Sequence, residues 1–498
     1  MSTLKPLYRH SLSLFNDLYE LTMAYAYWKS GNSRKEAVFN LYFRKPPFQG
    51  GFTLACGLSY VIDYLNQFKF SDDDLAYLAE LTGIDGTPLF DAPFLTYLKE
   101  MKLTLDVDAM PEGTPAFAHQ PLVRVQGPIV QCQLMEAPLL NMINFQTLIA
   151  TKAARITIAA QGDRVFEFGL RRAQGIDGAL AASRAAYIGG FNGTSNVLAG
   201  KLFGIPVKGT HAHSWVMSFD DELEAFRQYA KAMPNNCIFL VDTYDSLNGI
   251  RKAVEVGKWL RENGHEMGGI RLDSGDLAYL SIEARRILNE AGFPEADIVA
   301  SNDLDEHIIA SLKQQGAAID VWAVGTKVAT AFDQPALGAV YKLSAVREPG
   351  GKWEHKVKLS EQAVKTSTPG IQQVRRFLAA DGQNIADVIY DLDQPIHGAC
   401  QMVDPLDMTR RKIISDSVPY HDLLIPIFRN GEPVYQAPSA SEARAFAQKE
   451  LNAFHSGVKR FINPHQYPVG LEQSLHALRT ELILRNRVPS TILPGVKP

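Results

Sequence analysis

Apolar residues recur along the middle of this chain in short runs, each followed by a turn and then by a segment of helical spacing. The runs fall at 164–168, 205–208, 237–241, 269–272, 297–301 and 318–324. Helical spacing follows at 178–187, 221–232, 246–262, 276–290 and 304–314. Short apolar runs separated by amphipathic segments predict parallel strands with helical crossovers. Six such units, with a seventh marked by the turn at Phe191, predict an α/β barrel or a doubly wound sheet. A long helix with a buried apolar face, 136–157, opens this region.

The flanks read differently. Before residue 140 the pattern is mixed: a helix over 13–29 capped by Asn16 or Asp17, then an alternating strand at 37–43. Breaks follow at Pro46, Pro47, Gly50 and Gly51, then helices at 58–68 and 72–81, and short β-like runs between 103 and 131. After residue 343 the chain turns charged and turn-rich. Hairpins are expected in 347–377, strands in 382–392 and 412–435, and helices at 439–454 and 471–484. Neither flank closes a convincing core alone. The expected organisation is a barrel over 140–343 and an α+β domain in which 344–498 packs on 1–139.

Composition narrows the class. The 498 residues are 46% hydrophobic and 21% charged, with a net charge of −4, which fits a globular chain of two or three domains. No long basic run supports nucleic-acid binding. The N-terminus lacks an apolar signal core, and no stretch is long enough to span a bilayer. Cys56, Cys132, Cys237 and Cys400 are widely spread with no CxxC, as expected for buried thiols in a reducing compartment. These features predict a cytoplasmic enzyme.

The candidate chemistry clusters after the predicted strands, where α/β folds place it. Gly189, Gly190 and Gly193 precede Thr194 and Ser195, with Ser195 the expected cap of a helix running to Phe203. That turn reads either as an anion site or as an ordinary glycine turn. His211 and His213 lack a third ligand at usual spacing, so the pair reads as structural or chemical sooner than as zinc. Arg171 and Arg172, Asp242, Arg271, Asp273, Asp276 and the Gly325-Thr326 turn occupy corresponding places. Arginine forks suit phosphate or carboxylate, and the acids suit Mg²⁺, ribose hydroxyls or the orientation of a histidine. Each feature alone is also read as a cap or a surface charge. Together they point to chemistry on a phosphorylated sugar.

The segments FEFGLRRAQGIDGAL, GGFNGTSNVLAGKLFGIPVKGTHAHSWVMSF, FLVDTYDSLNG, IRLDSGDL and VWAVGTKVAT resemble the nicotinate phosphoribosyltransferase family. DLYELTMAYAYW and LLIPIFRNGEPV extend the resemblance over nearly the whole chain. It implies the fold of type II phosphoribosyltransferases: an irregular α/β barrel plus an α+β domain formed from both chain ends. It also implies a homodimer with sites at the interface, and ATP and Mg²⁺ as co-substrate and cofactor.

By position, the resemblance makes His213 the histidine that ATP phosphorylates, with Asp242 and Asp273 as the acids near the ribose and that histidine. Phe168 and a partner subunit's copy of Tyr19 would sandwich the pyridine ring. Thr210 and Arg271 would contact nicotinate, with Ser214 in the same loop, and Arg171 with Gly325 and Thr326 would hold phosphates. The metal ligands, the ATP site and the role of His211 stay open, and 356–370 is a candidate ATP segment or only a hairpin. Ser195 occupies the position where nicotinamide phosphoribosyltransferase carries aspartate, which favours the acid over the amide. That enzyme, and a phosphosugar-binding protein without activity, are the alternative readings.

Overall fold

The computed structural model describes residues 11–360, 362 and 365–487. Its central sheet has six parallel strands, in the order Gly193–Thr194, Arg164–Glu167, Val321–Val324, Asp297–Ala300, Gly269–Leu272, Ile238–Leu240. Val165, Ile270, Leu272, Ile298, Ala300, Trp322 and Val324 are all fully buried. Those residues share one face, and Phe166, Val299, Val321 and Ala323 make the other face apolar too, as a buried parallel sheet requires. The sheet curls, and its strand ends converge on one rim. The molecule is thus α/β, with the barrel strands close to the expected runs.

Two local expectations are corrected. The strand predicted at 205–208 reduces to a single parallel bridge between Thr194 and Val207. Pro206 has no N–H to donate and can only accept, taking the N–H of Thr194 at 3.0 Å. Nor does Ser195 cap the next helix. Asn196 does, accepting the N–H of Ala199 at 3.2 Å and opening the helix Val197–Phe203. Ser195 is still in strand register, its N–H bonded to the Glu167 carbonyl at 2.9 Å.

The helix Glu136–Ala160 is buried for most of its length and packs under the sheet against Gly175–Ile188 and Glu306–Gln314. It carries two cations into the interior. Lys152 and Arg155 each meet Glu306 at 2.7 Å, so neither buried cation is left without a counter-charge. Near the N-terminus the helix is Leu18–Lys29 with Asp17, one of the two expected caps, at its N-cap position but making no side-chain capping bond; Asn16 bonds Glu20 and the Leu134 carbonyl instead.

Both chain ends contribute to one seven-stranded sheet. Its order is Glu354–His355, Val340–Arg347, Glu36–Tyr42, Val123–Pro128, Asp106–Ala109, Ile425–Arg429, Glu432–Pro433. A second sheet of six strands is built wholly from residues between Gln372 and Glu472. It encloses a small cluster of its own, including Phe377, Val388, Met402 and Ile414. Of the hairpins expected in 347–377, the described residues form a short one, Val340–Arg347 with Glu354–His355, and Gln372–Leu378 turns back antiparallel onto Asn384–Asp391. All four cysteines are buried and free. Among the described residues no helix is long and apolar enough to cross a membrane.

A buried ion pair ties the second sheet to the N-terminal part. Arg376 and Asp387 are fully buried, and the guanidinium grips both carboxylate oxygens, at 2.9 and 2.7 Å. Gln120 and Tyr467 donate to the same carboxylate at 2.7 and 2.9 Å, and Arg376 also donates to the Pro115 carbonyl at 2.7 Å. Removing one partner strands a buried charge. Asp387→Ala is expected to cost about 3–5 kcal/mol of stability, read as a shift in the urea midpoint. A shift worth under about 1 kcal/mol would show that the clamp holds nothing.

Candidate active site

Six strand ends feed the rim, and two networks occupy it. The first joins His213 to Asp242. His213 opens a helical turn, His213–Met217, and its Nε2 lies 3.1 Å from Oδ1 of Asp242. The Asp242 carboxyl is 1% exposed, whereas the His213 side chain is 39% exposed. Oδ2 of Asp242 accepts the N–H of Asp273 at 3.0 Å and the hydroxyl of Ser274 at 2.5 Å. Those two bonds leave Oδ1 to the imidazole. A carboxylate can only accept, so Nε2 is the donor of this pair and Nδ1 is the ring nitrogen left outside it. An oriented, half-open imidazole can act as a nucleophile or proton carrier.

The second network centres on Arg271, at the third position of Gly269–Leu272. Its guanidinium donates to Ser301 at 2.9 Å, to Thr210 at 3.2 Å and to Asp273 at 3.0 Å. Ser301 also donates to Asp273. The guanidinium carbon lies 5.8 Å from the centre of the Phe168 ring. One cation thus stands beside an aromatic face with a threonine hydroxyl at its edge, a combination that suits a flat anionic ring.

Phe168 is held from behind by a residue that the sequence did not mark. Glu167 is 1% exposed, with no ion pair to a cation among the described residues. Its carboxylate accepts from the Gly169 N–H, from Ser183 at 2.8 Å and from Thr194 at 2.6 Å. Those bonds lock the Phe168 turn, the helix Gly175–Ile188 and the Thr194 turn together. The only available signal was a carboxylate ending an apolar strand. Ser301 and Ser274 likewise acquire roles only through their partners.

The glycine turn is not an anion cradle. The N–H groups of Gly189, Gly190, Thr194 and Ser195 all donate to carbonyls. Gly189 and Gly193 serve close packing instead, since a Cβ on them would fall 2.5 Å from the Ala150 carbonyl oxygen and 2.3 Å from that of Pro206. The Ser195 side chain is half-buried, and no hydrogen bond engages its hydroxyl among the described residues. It follows Thr194, which pairs with Glu167, so it stands beside Phe168 at the neighbouring strand end.

The remaining predicted residues fall in three groups. Gly325 and Thr326 follow Val321–Val324, and a Cβ on Gly325 would meet the Phe168 carbonyl at 3.2 Å, so the two turns are pressed together. Arg171 is exposed on the turn Leu170–Arg172, and Ser214 is exposed beside His213. Neither joins the two networks. Tyr19 lies apart, on Leu18–Lys29. Burial and the adjacent Glu136 raise the pKa of its phenol, and it lines a hollow with Phe15, Asn16 and Leu140.

His211 has a structural setting. It is 7% exposed, Nε2 accepts the N–H of Leu240 at 3.2 Å, and Nδ1 faces the Ala212 carbonyl at 3.4 Å. Burial lowers its pKa to about 4, so the ring is neutral across the physiological range. Among the described residues no three or more His, Cys, Asp and Glu side chains are grouped as a metal site. Asp273 nevertheless has one carboxylate oxygen with no hydrogen-bond partner among the described residues, on a side chain 31% exposed. A lone open carboxylate suits Mg²⁺, which usually takes one or two carboxylates and completes its shell with substrate phosphates and water.

The curled parallel sheet and this rim define an α/β-barrel protein with an enzyme-like site for anionic ligands. Comparison with known proteins makes the assignment specific. Residues 14–144 match the nicotinate phosphoribosyltransferase N-terminal domain, 164–374 the nicotinate phosphoribosyltransferase family, and 371–479 its C-terminal domain. The chain is 45% identical over 473 residues to nicotinate phosphoribosyltransferase of Bacillus subtilis, covering 93% of each protein. It is 36% identical over 530 residues to that of Dictyostelium discoideum, covering 95% of this chain and 88% of the relative. The crystal structure of human nicotinic acid phosphoribosyltransferase superposes with a TM-score of 0.81 at 33% identity, covering 94% of this chain and 99% of the human one. The chain belongs to the nicotinate phosphoribosyltransferase family.

Proposed function

We propose that this protein is an ATP-coupled nicotinate phosphoribosyltransferase acting in NAD biosynthesis in the cytoplasm. Nicotinate, 5-phosphoribosyl 1-pyrophosphate, ATP and water would give nicotinate mononucleotide, pyrophosphate, ADP and phosphate. The observation that carries the reading is the Arg271 guanidinium set beside the Phe168 ring, with Thr210 at its edge and Asp273 behind it. A pyridine ring laid on Phe168 can direct its carboxylate to that fork. Asp242 holds the Nε2 hydrogen of His213, so the phosphoryl acceptor is Nδ1. Mg²⁺, held by Asp273 and the substrate's phosphates, would neutralise the departing pyrophosphate.

The second face of the ring is assigned to Tyr19 of the partner subunit. Tyr19 stands clear of Phe168 within its own chain, and its helix exposes Leu18, Tyr19 and Met23. An apolar face of that kind fits burial in a homodimer. Arg171 and the Gly325-Thr326 turn are assigned to the phosphates from their places at the rim.

Selectivity for the acid is assigned to Ser195 and Arg271 together. The contribution of a helix N-terminus at Ser195 is small, because Asn196 already caps that helix. What counts is a neutral hydroxyl, free to donate, where an aspartate would repel the substrate. Ser195→Asp is expected to lower kcat/KM for nicotinate by about 100-fold or more, since a like charge in a partly dry pocket costs several kcal/mol. The KM for phosphoribosyl pyrophosphate should move far less. The test is a chromatographic assay offering nicotinate and nicotinamide separately. Strong preference for nicotinate supports the reading; equal use of both, or no nucleotide product, refutes it.

A further inference from the structure

The curled sheet has a seam. On one side lies the segment that leaves the Thr194–Val207 bridge and runs to His211. On the other lies Ile238–Leu240, whose only strand partner among the described residues is Gly269–Leu272. The N–H of Val241 turns inward to the Arg271 carbonyl at 3.2 Å, and the N–H of Leu240 points outward from the sheet edge. A bare outward N–H in a dry interior is costly. His211 Nε2 receives it at 3.2 Å.

Two residues further along both segments, Nε2 of His213 meets Oδ1 of Asp242 at 3.1 Å. The two bonds join residues with the same separation, 29 positions. Residues 211–213 therefore run beside 240–242 in parallel register, and imidazoles bridge the gap that the backbone ladder leaves open. The His211 ring is wedged edge-on against Tyr229, centroids 4.9 Å apart, with Phe226 and Phe239 beyond it. Both of its nitrogens are engaged, so it is neither the nucleophile nor a metal ligand.

We propose that His211 is the positioning residue for His213: by accepting the Leu240 N–H it sets the register that brings the His213 ring onto Asp242. This rests on the reading of His213 as the phosphoryl acceptor. The bond asks for an acceptor at the tip of a side chain of histidine length. The amide oxygen of glutamine can serve; leucine fills the space without serving.

His211→Leu and His211→Gln in the full-length enzyme test this with three readouts: acid-labile phosphate on the protein, turnover with ATP, and deuterium exchange at the Leu240 amide. In His211→Leu, phosphate uptake and turnover should fall about tenfold or more while the KM for nicotinate stays within about twofold, and Leu240 should exchange faster. His211→Gln should recover at least about half of each loss. Wild-type labelling and turnover in His211→Leu, or no recovery in His211→Gln, would overturn the proposal. Should His211→Leu fail to fold, His211→Gln decides alone: activity near wild type supports the clamp, and a folded variant about tenfold slower overturns it. If the wild-type enzyme takes up no phosphate, the ATP coupling fails, while turnover and Leu240 exchange still decide the clamp.

Discussion

Replacing His213 with alanine is expected to abolish both ATP stimulation and acid-labile phosphate on the protein, while a slow ATP-independent synthesis of nicotinate mononucleotide persists. ATP can drive the transfer only if a phosphorylated enzyme binds phosphoribosyl pyrophosphate differently from the free enzyme. The group proposed to carry that signal is the His213 imidazole, 39% exposed and fixed by a buried carboxylate. Asp242→Asn should lower phosphate uptake by about 10–100-fold, because an amide cannot accept from His213, the Asp273 N–H and Ser274 at once. Undiminished labelling of the His213→Ala enzyme would remove His213 from the mechanism.

The second large effect is expected at Arg271. Its guanidinium meets Thr210, Ser301 and Asp273 through all three nitrogens. Arg271→Ala removes the cation proposed to face the nicotinate carboxylate and leaves Asp273 unpaired. A loss of about 2–5 kcal/mol is expected, or roughly 30- to several-thousand-fold in kcat/KM for nicotinate. Arg271→Lys should restore little, since a point charge cannot hold three partners in a plane. Steady-state kinetics on both variants settle the matter; a loss under about tenfold in Arg271→Ala would move the carboxylate site elsewhere.

The strands of the barrel were legible to within a few residues because short parallel strands buried on both faces leave little besides apolar residues between turns. Their C-terminal ends then gave the rim, and with it His213, Asp242, Arg271 and Asp273 as neighbours. Failures arose where tertiary contacts outrank local preference. Ser195 is as good a cap as Asn196, yet its N–H is already spent on Glu167 across the sheet. The run at 205–208 is apolar enough for a strand, yet Pro206 denies it a ladder. Glu167 was invisible because a buried carboxylate without a cation makes sense only once Ser183, Thr194 and Gly169 are seen around it. Residue pattern alone did not separate the two histidines of the HAH turn; the family resemblance singled out His213 and left His211 open. Their different settings come from a register across the seam, set by residues 29 positions away.

The most direct test of the central claim is a coupled count of products. Purified enzyme is incubated with nicotinate, phosphoribosyl pyrophosphate, Mg²⁺ and ATP, and nicotinate mononucleotide and ADP are separated and quantified together. The account predicts about one ADP per nucleotide at saturating ATP, with that ratio and the stimulation both lost in His213→Ala. Nucleotide formed at the same rate with no ADP released, or ADP released without nucleotide, would contradict it.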